Sequence, residues 1–290
     1  HPDGQNFLGG MYAGGHGVPQ DETEAVRWFR LAADQGLANA QVLLGTMYAE
    51  GRGVPEDQTE AARWYRFAAD QGNALAQSNL GIRYGTGRGV PQDDAEAVRW
   101  FRLAADQGYA EAQGNLGIMY ATGRGVLQDD AEAVRWYRLA ADQGLAEAQY
   151  TLGVKYETGQ GVPEDDAEAV RWYRLAADQG YADAQHNLAV MYSAGHGVLQ
   201  DYAEAVRWYR LAADQGLAKA QVNLGVKYGT GDGVPKNNVT AYMWFTLAAS
   251  RSTGEVQDRA VQGRDLVAKG LNASQRAEAQ RLAREWLAAH

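Results

Sequence analysis

The stretch AEAVRWYRLAADQG at residues 131–144 decides the fold, because it returns unchanged at 167–180 and at 203–216. The interval is 36 residues, and seven of the eight tryptophans follow it. They are Trp28, Trp64, Trp100, Trp136, Trp172, Trp208 and Trp244. A constant period of this length indicates similar helical units that stack on one another, and not two unrelated globular domains.

Each unit is predicted to contain two helices joined by a glycine-rich loop. The first helix, for example 110–120, ends before Gly123, since glycine takes a left-handed conformation without a side-chain clash. The second helix begins at an Asp followed three residues later by Glu, as at Asp129 and Glu132, which is a capping-box pattern. We expect the Asp side chain to accept hydrogen bonds from the first-turn amides and the Glu side chain to return to the Asp N–H. The second helix ends at a further glycine, such as Gly144.

Composition excludes several classes of protein. The chain has 27 Lys and Arg, 36 Asp and Glu, a net charge of −9 and no Cys, so thiol chemistry and Cys-bound metals are excluded. An acidic chain without an apolar run of about 18 residues predicts neither a nucleic-acid partner nor membrane insertion. The five His residues form no i, i+3 or i, i+4 pair, and no Ser–His–Asp or Ser–Lys arrangement is evident. We predict no metal, no cofactor and no enzyme activity.

The repeated phrase AxAQxxLGxxYxxGxGVxxDxxEAxRWxxxAADQG covers roughly residues 5–250 and resembles the Sel-one-like repeat family, a relative of the tetratricopeptide repeats. The resemblance implies an all-α, right-handed α/α superhelical solenoid with a C-terminal capping helix. It also implies a non-catalytic adaptor or scaffold in protein complexes, most often in bacteria. On this basis residues 1–252 are predicted to be about seven tandem repeats and 253–290 a helical cap, all in one continuous solenoid.

Two other functions remain open. Cysteine-rich relatives of this family carry a disulfide in each repeat, and some are β-lactam-binding, which leaves a hydrolase or a β-lactam or cell-wall binder as an alternative. The absence of Cys makes that subgroup a poor match. A self-associating structural rod is the second alternative, although we expect a monomer.

The two ends of the chain carry separate expectations. The chain begins with His1, and Gln5 aligns with Gln41, so we expect the first repeat to be truncated and to open inside a helix. Any targeting segment would then be absent from this sequence. The sequence alone does not fix the compartment, and an exported or periplasmic location is the one considered. The tail breaks the period, with helices expected near 256–269 and 274–289.

Comparison of the repeats with one another suggests where a partner binds. On a helical wheel, the first-helix columns that stay constant fall on one side, and those that vary fall on the other. We expect the constant side to pack and the varying side to be free of packing and to line the concave groove. The predicted partner-binding residues are Asn79, Ile82, Glu111, Asn115, Ile118, Glu147, Tyr150, Val154, Asp183, His186, Asn187, Val190, Asn223 and Val226.

The recurring Asn in this set has a chemical use, because an amide both donates and accepts hydrogen bonds and can hold the backbone of an extended peptide. The alternative is that these Asn side chains cap local backbone groups or face water. Packing between neighbouring first helices is an alternative for the apolar members. On the second helix, Arg99 is expected to pair with Glu96 and not to stack on adjacent Trp100, since adjacent helical residues do not face each other. 

Overall fold

A computed structural model describes all 290 residues, which form sixteen helices and no strand. The helices are α1 (Pro2–Gly14), α2 (Glu22–Ala33), α3 (Ala38–Glu50), α4 (Gln58–Asp70), α5 (Ala74–Thr86), α6 (Asp94–Asp106), α7 (Ala110–Thr122), α8 (Asp130–Asp142), α9 (Ala146–Thr158), α10 (Asp166–Asp178), α11 (Ala182–Ala194), α12 (Tyr202–Asp214), α13 (Ala218–Thr230), α14 (Asn238–Arg251), α15 (Gly254–Ala268) and α16 (Ala273–Ala289). Odd-numbered helices are the first helices of a pair and even-numbered helices the second. The all-α class and the helix-pair period are confirmed. No helix is both long and apolar enough to cross a membrane.

The chain divides into two compact units, which we name unit 1 (His1–Gln143) and unit 2 (Gly144–His290). Unit 1 contains the helix pairs from α1 to α8, and unit 2 contains those from α9 to α16. Within each unit, every first helix up to α13 packs on the second helix of its own pair, and each second helix packs on the next first helix of that unit. In the tail, α15 and α16 both pack on α14. Since an isolated helix pair cannot bury both of its apolar sides, each pair depends on its neighbours.

The first helix of the chain follows the pattern of the later first helices. Helix α1 begins at Pro2 and contains 13 residues, as many as α3. Proline suits this position because its missing N–H would have no partner in the first helical turn.

Half of the predicted capping box is present. Asp21, for example, accepts hydrogen bonds from the Thr23 and Glu24 amides at 3.0 Å, and the corresponding Asp or Asn caps every later second helix through α14. The predicted return by Glu is wrong. The Asp129 N–H donates instead to the Tyr120 carbonyl at 3.0 Å, and the Glu132 carboxylate pairs with Arg135 at 2.7 Å.

The core consists of constant columns of Leu, Ala and aromatic residues. Leu116 in unit 1 and Leu188 in unit 2 are fully buried, as are most of the alanines around them. The tryptophans of the second helices are buried in the same core, and Trp208 belongs to one buried cluster with Val170 and Tyr173 of the preceding helix pair. Arg207 also covers the Trp208 ring, with its guanidinium carbon 4.7 Å from the ring centre. The expectation that adjacent Arg and Trp do not stack is therefore wrong, because the long Arg side chain folds back over the ring.

The second glycine of each loop brings two backbones together. A Cβ atom on Gly125 would lie 2.2 Å from the carbonyl oxygen of Asp94, at the start of α6 in the preceding pair. The residue has φ of +69°, which residues other than glycine rarely adopt. Its counterpart Gly197 in unit 2 lies equally close to the Asp166 carbonyl. Contact between the two backbones at this loop therefore fixes how neighbouring helix pairs are placed against each other.

Glutamine side chains link successive helix pairs at the ends of the helices opposite the glycine-rich loops. In unit 2, the Gln185 amide nitrogen donates to the Ala177 carbonyl at 3.1 Å, and its oxygen accepts from Gln215 at 2.8 Å. Gln221 repeats the first bond, to Ala213, but its buried oxygen has no partner. The residue 36 positions after Gln215 is Arg251, which lies over the Trp286 ring at 5.2 Å and makes no such bond.

Replacement of these two glutamines by leucine should have unequal effects. Gln185→Leu removes both bonds of a satisfied buried amide and should lower the free energy of unfolding by about 1–3 kcal/mol. Gln221→Leu removes one bond together with an oxygen that already lacks a partner, so we expect a clearly smaller loss. Urea unfolding of the two variants measures the difference, and equal losses would show that the Gln215 bond adds nothing.

The tail forms two helices close to the predicted bounds. Trp286 of α16 meets Trp244 edge-on, with the ring centres 6.1 Å apart. The expected break in the period is incomplete, because Gln257 of α15 donates to the Ala249 carbonyl at 3.1 Å, as the glutamines of the repeats do. The role of the tail as a terminal cap stays a prediction.

Candidate functional site

The predicted partner-binding residues all lie on first helices and line one side of them. In unit 1 they lie on α5 and α7, and in unit 2 on α9, α11 and α13. Their side chains are exposed or half-buried, and three of the apolar ones, Ile82, Ile118 and Val226, are 41–42% exposed. We name this surface the first-helix stripe. Partner binding to the stripe stays a prediction.

Two of the varying columns are not free of packing, which corrects the expectation drawn from the helical wheel. The column of Gly114 is buried at Val42, Ser78 and Val222, and the column of Met119 is buried at most of its positions. Variation in these columns therefore reflects side chains of different size in contact with neighbouring helices. The columns of Glu111 and Ile118 are exposed or half-buried, the column of Asn115 is mostly half-buried, and most of the threonines at the helix ends are exposed.

The Gly114 column is half-buried at two positions of unit 2, where Tyr150 and His186 occupy it. The Tyr150 ring centre lies 5.9 Å from that of Tyr173 and 5.2 Å from that of Tyr181. Burial, followed by the charges of Asp183 and Glu157, raises the pKa of Tyr150 above its usual range. These phenols are therefore neutral at physiological pH and present aromatic surface among carboxylates.

Buried Tyr173 and half-buried Glu157 form a polar pair next to Tyr150. The Tyr173 hydroxyl donates to Glu157, and burial is the main cause of the raised pKa of Tyr173. Sequence analysis missed Glu157, Tyr173 and Tyr181 as parts of this cluster. The available signal was Glu157 itself, which stands where the other first helices have Ala, Gly or Ser.

His186 joins two successive first helices. Its Nδ1 lies 3.1 Å from Asn187 Oδ1, and its Nε2 lies 3.1 Å from Asn223 Nδ2. This arrangement requires a proton on Nδ1 and an accepting Nε2. Burial lowers the pKa of His186 to about 4, so the ring is neutral at physiological pH. Asn187 and Asn223 thus each use one side-chain group in a local hydrogen bond to His186, which is the alternative to contact with a peptide.

A row of charged residues runs along the starts of the unit 2 first helices. Glu147, Asp183 and Lys219 occupy equivalent positions at intervals of 36 residues. The Lys219 ammonium lies 2.7 Å from the Asp183 carboxylate. No cation lies within ion-pair distance of exposed Glu147. The chain holds no group of three or more His, Asp or Glu side chains that could bind a metal ion.

Comparison with known proteins gives concordant results. The family model described as Sel1 repeat matches seven consecutive stretches, at residues 2–37, 38–73, 74–109, 110–145, 146–181, 182–217 and 218–252. The crystal structure of a Sel1 repeat protein from Oxalobacter formigenes is 38% identical, with a TM-score of 0.76, and the match covers 90% of this chain and 76% of that one.

Two other solved structures are more distant. The protein c5321, a protective antigen present in uropathogenic Escherichia coli strains and displaying an SLR fold, is 29% identical with a TM-score of 0.57. That match covers 99% of this chain and 84% of c5321. Yeast Tom70, 13% identical over 93% of this chain and 55% of its own with a TM-score of 0.50, shares the fold alone. No curated protein matches the chain.

Proposed function

Because the chain belongs to the Sel1 repeat family, whose members are generally non-enzymatic protein-interaction scaffolds, we propose that it binds an extended segment of another protein along the first-helix stripe. The observation that carries the proposal is the exposure of varying side chains on helices whose constant side is buried. A surface that can change from repeat to repeat without loss of the core is suited to recognition.

The chemistry of the stripe supports an extended peptide as the bound species. Half-exposed Val154 and Val190 and exposed Val226 offer apolar contact at successive first helices of unit 2. The amides of Asn187 and Asn223 lie beside them and retain donor or accepting groups for a peptide backbone. Apolar pockets for side chains combined with polar groups for the main chain are common in peptide recognition.

A photo-crosslinker should locate the bound partner. We expect p-benzoylphenylalanine at position 190, on the stripe, to yield crosslinked protein in a native extract. The same residue at position 211, on a second helix where Leu211 is 42% exposed, should yield at least about tenfold less, since that surface is not proposed to bind. Identical crosslinked species from both positions, or crosslinks from position 211 alone, would contradict the assignment.

A further inference from the structure

In the charged row of unit 2, one carboxylate already has a cationic side chain beside it. Lys219 on α13 reaches back one repeat and pairs with Asp183 on α11 at 2.7 Å. One repeat earlier, the residue that would reach back to Glu147 is Asp183, which carries the same charge. Two carboxylates therefore face this part of the stripe, and only Asp183 has a cation beside it. Like charges placed near each other favour a cation between them.

Aromatic rings border the same place. Tyr181, the residue that precedes α11, lies with its ring centre 5.2 Å from that of Tyr150 on α9. Burial first, and then the negative charges of Glu147 and Asp183, raises the pKa of Tyr181. The equivalent positions in the neighbouring repeats of unit 2 are Leu145 and Leu217. The same column holds Tyr109, Leu37 and Asn73 in unit 1, so the fold does not require an aromatic residue at this position.

We infer that Glu147, Asp183, Tyr150 and Tyr181 form a site for a cationic side chain, Lys or Arg, of the bound partner segment. The inference rests on the proposed function and names the chemistry of its ligand. An incoming ammonium group would stand beside Glu147 as Lys219 stands beside Asp183. The faces of the two tyrosine rings would contact the methylene groups and the charge, since a cation is attracted to the negative face of an aromatic ring.

The local charges agree with a basic ligand. His186, the nearest titratable base on α11, is neutral at physiological pH because of burial and does not oppose a cation. Lys219 is held by Asp183, and the chain as a whole carries a net charge of −9, which attracts basic segments over longer distances. Two carboxylates without a third ligand are a poor site for a metal ion.

Fluorescence anisotropy with synthetic peptides tests the inference on the full chain. The probe is a labelled, end-blocked dodecapeptide of alternating Ser and Lys, compared with peptides in which Gln or Glu replaces Lys. We expect the Lys peptide to bind best and its affinity to fall as NaCl is raised. Glu147→Gln should weaken binding by about fivefold or more. Glu164→Gln, which removes the same charge from an exposed loop residue, should change it less than about twofold.

A second pair of variants tests the rings. Tyr181→Leu introduces the residue that neighbouring repeats use, so the fold is retained, and it should weaken Lys-peptide binding severalfold. Tyr181→Phe keeps the aromatic face and should bind as the native chain does. Circular dichroism melts establish that both variants are folded.

The outcomes are distinguishable. Equal losses in Glu147→Gln and Glu164→Gln would assign binding to overall charge and overturn the site. Equal or tighter binding of the Gln or Glu peptide would also overturn it, while leaving a peptide-binding stripe in place. Absence of binding by all three peptides, together with a crosslinked partner at position 190, would reject the cation site and retain the proposed function.

Discussion

Gly125→Ala is expected to lower the free energy of unfolding by about 3–5 kcal/mol, whereas Gly123→Ala should cost about 1–2 kcal/mol. The two residues have nearly the same left-handed backbone, with φ of +69° and +68°. They differ in their surroundings. A methyl group at Gly125 would lie 2.2 Å from the Asp94 carbonyl oxygen, but one at Gly123 would meet the Gln128 Cβ at 3.2 Å. Backbone atoms cannot move aside without separating two helix pairs.

Urea unfolding followed by far-ultraviolet circular dichroism measures this difference. Gly17 supplies a further control, because a Cβ atom there would meet only the flexible Met11 Cε, at 3.3 Å. Gly17→Ala should therefore resemble Gly123→Ala. If all three substitutions cost the same, left-handed conformation alone would explain the glycine, and the contact between pairs would contribute nothing.

Leu188→Ala is expected to cost about 2–5 kcal/mol, and Leu175→Ala about 1 kcal/mol or less. Leu188 is fully buried, whereas Leu175 is 40% exposed on a second helix of the same unit. The neighbours of Leu188 include Ala184 and Ala189, both fully buried, and such short side chains cannot move into the space that the substitution leaves. We therefore expect the cost for Leu188 to lie in the upper part of its range.

Thermal unfolding of the two leucine variants gives the comparison directly. Comparable losses of stability would mean that the second-helix surface around Leu175 is itself part of a packed interface. A small effect at Leu188 would mean that the helices close around the cavity.

The sequence predicted those parts of the fold that depend on repeated local signals. Asp129 was recognisable as a cap because a short acceptor before a helix has few other uses. Gly144 was recognisable as a helix end because glycine takes a left-handed conformation without strain, and it has φ of +91°. The error at Glu132 has a physical cause. The Asp129 N–H had a competing acceptor in the Tyr120 carbonyl, which is near only after the two helices have packed.

The candidate site was harder to predict because packing, and not variation, determines which side chains are accessible. Variation marked Glu147, Asp183 and Val190, which are exposed or half-buried. It also marked the column of Met119, whose residues are mostly buried. Tyr181 was not found because it lies outside the first helix, and its contact with Tyr150 joins positions 31 residues apart. A wheel drawn for one helix contains no information on contacts between helices.

The contact at Gly125 has a consequence for how such a chain changes over generations. Because the contact is between backbone atoms of two repeats, it does not depend on the side chains of either repeat. A gene segment that encodes one whole repeat can therefore be duplicated or lost, and the new neighbours will meet at a junction of the same shape. Copy number and surface chemistry can then evolve independently, provided that every inserted or deleted segment is a multiple of 36 codons.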